Sequence, residues 1–101
     1  MDKRLQLQSL LETLLGSRNV YFQPPSNIQM KFPAIIYERD NSWVEHASNL
    51  PYAHQKRYQV TVVDPNPDSL LPDKVEKLPL CSFNRHFVVD NLNHNVFSIY
   101  F

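Results

Sequence analysis

Leucines at positions 7, 10, 11 and 14 repeat at the i, i+3, i+4, i+7 spacing of one helical face, and Leu15 widens the stripe. The spacing predicts a helix over 3–15. Asp2 stands where an N-cap belongs, and Gly16 where a helix is closed by a left-handed residue. Asn19 to Phe22 suits a short strand with Val20 and Phe22 on one face, ended by Pro24-Pro25. Residues 26–32 are mostly polar and read as a connection. Ala34 to Arg39 contains Ile35-Ile36-Tyr37 and is apolar on both faces, which predicts a central strand. Pro33 precedes it, at a position where a missing N–H is tolerated.

Residues 40–55 are the least regular part of the chain. Asp40-Asn41-Ser42 is turn chemistry, Trp43 to Ala47 has the makings of a short strand, and Ser48-Asn49-Leu50-Pro51 breaks it. The clearest strand is Lys56 to Asp64, where Tyr58, Val60 and Val62 alternate with Arg57, Gln59 and Thr61. Pro65-Asn66-Pro67 stops it. Asp68 to Leu78 holds a short helix, with Pro72 suited to its first turn, Asp73 near the positive end of the dipole, and Val75 and Leu78 toward the sheet. Pro79 closes it. Cys81 to Asp90 reads as a second long strand with Cys81, Phe83, Phe87 and Val89 on one side. Asp90-Asn91-Leu92-Asn93-His94 reads as a turn, and Val96 to Phe101 as the last strand, with Phe97, Ile99 and Phe101 sharing a face. These two strands form an antiparallel hairpin.

The order predicts an α+β fold: an antiparallel-rich sheet with an N-terminal helix and a second short helix packed on one face, in one domain over 1–101. An aromatic last strand is expected to be paired on both sides or covered by another subunit. Composition narrows the class. One glycine, eight prolines and twelve per cent aromatics describe a packed domain in which prolines punctuate the elements. Ten basic and ten acidic side chains cancel, which argues against a general phosphate-backbone binder. No apolar run is long enough to span a membrane, and Met1-Asp2-Lys3-Arg4 leads into a polar-studded helix instead of a signal peptide, so the expectation is a soluble, intracellular protein. One cysteine excludes an internal disulfide framework.

Candidate chemistry is thin. His46 and His54, and His86 and His94, are spaced eight apart, unlike the i, i+4 pair of a helical zinc motif, and read as surface or partly buried histidines; hairpin pairing could still bring His86 near His94. Cys81 beside Phe83 reads as a small buried hydrophobe before it reads as a nucleophile. Asp64 and Asp68 bracket Pro65-Asn66-Pro67 and read as turn and cap residues. There is no glycine-rich phosphate loop and no serine elbow. No catalytic, cofactor-binding or metal-binding residue is therefore expected. Lys56-Arg57 is the one basic pair outside the N-terminus and suits a solvated strand edge or an interface ion pair better than a nucleic-acid contact. Trp43 in a polar loop is either a local anchor or an interface hot spot. The interface candidates are Trp43, His46, Tyr52, Lys56, Arg57 and Phe101.

Three strings are recognisable. The run Lys56-Arg57-Tyr58-Gln59-Val60-Thr61-Val62-Val63-Asp64-Pro65-Asn66-Pro67-Asp68-Ser69, with Pro72-Asp73-Lys74-Val75 and Leu78-Pro79, is one. Cys81-Ser82-Phe83-Asn84-Arg85-His86-Phe87 followed by Asp90-Asn91-Leu92-Asn93-His94 is the second, and Phe32-Pro33-Ala34-Ile35-Ile36-Tyr37-Glu38 the third. Together they resemble the tail terminator (tail completion) proteins in the neck and tail module of long-tailed bacteriophages, over roughly residues 3–101. The resemblance implies a structural virion protein, made in the host cytoplasm, that forms a homo-hexameric ring. Such a ring caps the tail tube, meets the tail tube protein and the head connector, and lets phage DNA pass through its lumen without specific binding. It implies no cofactor, no membrane and no transferable functional residue. Another head–tail neck component, or a small nucleic-acid-binding phage protein, is the alternative.

Overall fold

The computed structural model describes residues 3–40 and 56–101. Asp2, the turn and strand read within 41–55, and the interface candidates Trp43, His46 and Tyr52 lie outside the described residues. The chain runs α1 (Lys3–Leu15), β1 (Val20–Phe22), β2 (Ala34–Arg39), β3 (Arg57–Asp64), α2 (Leu71–Glu76), β4 (Cys81–Val89) and β5 (Leu92–Tyr100). The five strands form one sheet in the order β1-β2-β3-β5-β4. Only β1 and β2 run parallel, and the other three pairs are antiparallel. The fold is α+β, an antiparallel-rich sheet with its two helices, as the hydrophobic pattern predicts.

Helix α1 forms where its leucines repeat. Leu7 and Leu11 are fully buried, with Leu10, Leu14 and Leu15 packed around them. Gly16 ends the helix at φ +81°, its N–H donating to the Glu12 carbonyl at 2.9 Å. That conformation disfavours any side chain with a Cβ. In α2, Pro72 lies in the first turn and Val75 is buried. The core lies between these helices and the sheet: Ile35 and Tyr37 of β2, Tyr58, Val60 and Val62 of β3, and Phe97 and Ile99 of β5 all face it. Burying each such aliphatic side chain contributes roughly 1.5–3 kcal/mol.

A polar fastening runs through this apolar layer. The buried Tyr37 hydroxyl donates to Gln8 Oε1, and Arg4 Nη1 donates to that hydroxyl at 3.3 Å. Gln8 Nε2 in turn donates to the Val20 carbonyl at 3.1 Å. The Arg4 guanidinium lies 4.6 Å from the centre of the Phe22 ring. One face of α1 is thus tied to both β1 and β2. A buried phenol with these partners avoids the cost of an unsatisfied polar group. Burial raises the Tyr37 pKa, with Arg4 opposing the shift.

The structure corrects two sequence readings in the hairpin. The turn is Asp90-Asn91 alone, both at positive φ (53° and 63°), and Leu92 to Asn95 belong to β5. Two left-handed residues make the tight turn whose twist matches the flanking strands, and Asp and Asn tolerate that conformation. Cys81, Phe83, Phe87 and Val89 do not share one side. Phe83 pairs with Phe97 and Arg85 with Val96, so Asn84 is an extra residue in β4. Such a bulge shifts the alternation by one. Cys81 and Phe83 lie on the helix side with Ile99 and Phe97, whereas Arg85 and Phe87 lie on the opposite side with Val96 and His94.

Candidate assembly edge

The two edges of the sheet differ sharply. Strand β1 has three residues and is followed by Gln23, at φ 45°, and Pro24-Pro25, which cannot extend a ladder. Strand β4 has nine residues and, among the described residues, pairs only with β5. All but Cys81 are exposed. Four of them are large and apolar: Phe83 is 48% exposed, Phe87 37%, Val88 56% and Val89 49%. Long, exposed, apolar edge strands are rare in free-standing proteins because they pair with other chains.

The hairpin holds these side chains in place. Phe83 meets Phe97 edge to face, with centroids 5.6 Å apart. Phe87 stacks on His94 at 4.7 Å, and the Arg85 guanidinium lies 5.7 Å from the Phe87 ring centre. His86 Nε2 is 3.2 Å from Asn93 Oδ1, and Asn93 Nδ2 donates to the Asp64 carbonyl at 3.2 Å, linking the hairpin to the end of β3. Just before β4, exposed Leu80 sits at φ 58°, a strained conformation for a bulky residue. Its carbonyl accepts the Tyr100 N–H at 3.2 Å. The result is a pre-formed ribbon with apolar groups on both faces and Arg85 and His86 near its middle.

The sequence-derived candidates fall elsewhere. Lys56 is exposed, and its carbonyl accepts the Phe101 N–H at 2.9 Å. Arg57 is half-buried: its Nε lies 3.1 Å from Asp40 Oδ2, an ion-pair distance without hydrogen-bond alignment, and its Nη2 donates to Ser98 Oγ at 3.3 Å. It fastens strands together. Phe101 packs against the core. His86 pairs with Asn95 and His94 with Phe87, so the two histidines lie on opposite sides of the hairpin. Among the described residues no group of three His, Cys, Asp or Glu side chains comes together as a metal site. The Asp64 carboxylate accepts the Asn66 N–H at 2.8 Å, and Asn66 Oδ1 accepts the Asp68 N–H at 3.0 Å. Those aspartates belong to the turn, as read, but neither caps α2, whose N-cap is Leu70 without a side-chain hydrogen bond. Cys81 is a half-buried free thiol whose pKa is pushed up to about 11, first by burial and then by the Glu76 carboxylate. A nucleophile needs the opposite shift.

Sequence reasoning missed β4 as the exposed element. Its apolar residues occupy both parities, which is the signature of a strand buried on both faces. Only the strand order reveals that it lies outermost. No family model, curated protein or solved structure matches the chain.

Proposed function

We propose that this chain is a structural virion protein of a long-tailed phage or prophage, a ring-forming tail terminator that caps the tail tube and joins it to the head connector. The observation that carries this reading is the nine-residue edge strand β4 with its four exposed apolar side chains. A small protein that works through surfaces has a use for such an edge, and assembly covers what a free monomer would expose. The resemblance supports the reading from another side. Two of its three strings fold into β3, α2 and the β4–β5 hairpin, the half of the sheet that ends in this edge. The balanced charge suits packing beside like copies and a lumen that does not grip phosphates.

The test is to delete the gene in its phage and examine lysates by negative-stain microscopy. Unjoined heads beside overlong or uneven tails are the expected result. Unjoined heads beside tails of normal length would reassign the chain to a joining role in the neck, and normal virions would overturn both.

A further inference from the structure

We propose that the outer edge of β4 receives an extended, carboxylate-bearing strand from a different protein. This deepens the reading of β4 as an assembly surface and rests on it. An edge strand turns alternate backbone N–H and C=O groups outward, and the partner that satisfies such a row is another strand. The bulge at Asn84 adds side-chain contacts on both faces, with Phe83 on the helix side and Phe87 opposite. Charge then selects the occupant. From Cys81 to Val89 the strand carries Arg85 and His86 and no carboxylate.

A second copy of β4 fits poorly. An antiparallel alignment that uses the full strand sets Arg85 directly opposite its own counterpart, an in-register parallel one sets it beside that counterpart, and like charges facing across a ladder repel. The β1 edge of another copy offers three residues before Pro24-Pro25, too short for a nine-residue ladder. A strand that alternates apolar residues with glutamate or aspartate meets all the requirements. Its backbone completes the sheet, its apolar groups cover Phe83 and Val88 on the helix side, and its carboxylates reach Arg85 on the opposite side.

The experiment uses the full chain and two short capped peptides, one alternating valine with glutamate and one alternating valine with lysine. Fluorescence anisotropy measures binding, and amide hydrogen exchange locates it. The glutamate peptide is expected to bind about tenfold more tightly than the lysine peptide and to slow exchange within Cys81–Val89. Arg85→Glu should invert the preference. Equal binding of the two peptides overturns the proposal, as does sedimentation showing that copies of the chain pair through β4. In parallel, Val88→Lys is introduced into the phage; Val88 is 56% exposed, so the lysine does not disturb the core. Lost joining without peptide discrimination sinks the acidic strand alone. Intact joining with neither peptide bound sinks the assembly surface as well.

Discussion

Cys81 illustrates how burial, reinforced by a neighbouring carboxylate, sets the chemistry of a side chain. It opens β4 opposite Ile99, packed against the core, and its thiol titrates near 11 where an ordinary one titrates near 9.0. The folded state therefore holds this proton more tightly than the unfolded chain. Stability from that preference is fully present below pH 9 and is lost as pH rises through 11. We expect the urea midpoint of the wild type to fall across that window, and Cys81→Ala to flatten the fall. Tyr37, raised in the same direction from 10.0, adds its own decline above pH 10, which remains in Cys81→Ala. At this scale the sequence is informative about residue type. A cysteine beside Phe83 is legible as a small buried hydrophobe. The hydrogen bond from Tyr37 to Gln8 is not legible, because it joins residues 29 positions apart.

Elements with one buried face are legible because their periodicity is local. Helix α1 has the bounds its leucines dictate, and Tyr58, Val60 and Val62 of β3 are buried as their alternation requires. The end of α1 makes the argument measurable. A Cβ built on Gly16 meets nothing within 4 Å, so a substitution there costs only what φ +81° costs. Gly16→Ala should destabilise by about 1 kcal/mol in urea unfolding while helix content by circular dichroism stays unchanged. An effect near zero would mean that the chain leaves the left-handed conformation at little cost. The hairpin was less legible. Leu92-Asn93-His94-Asn95 is too polar to announce a strand, yet pairing with β3 and β4 on both sides makes it one. Tertiary context overrides propensity in strands more than in helices.

Over the whole molecule, the sheet's interior was foreseeable and its border was not. β2 is central, as its two apolar faces predict, and β5 is paired on both sides, as an aromatic last strand suggests. Strand order decides which apolar strand is left outermost, and no local pattern encodes strand order. Arg57 and Phe101, read from the sequence as interface candidates, make internal contacts and stay partly exposed, and the large exposed apolar groups of the sheet lie on β4.

The bulge has a consequence for how the gene tolerates shortening. Removing one codon from most strands throws every residue on one flank to the wrong face. Here the neighbours of Asn84 already pair with adjacent residues, Phe83 with Phe97 and Arg85 with Val96. Excising Asn84 would leave a regular ladder in which each remaining residue keeps its partner and its face. The shortened protein should therefore fold with the Phe83–Phe97 and Phe87–His94 contacts intact, observable as nuclear Overhauser effects. Excising Thr61 from β3, which pairs residue for residue on both sides, should abolish folding. A family of such chains could gain or lose that one residue freely, and β4 is where length variation would accumulate without a change of fold.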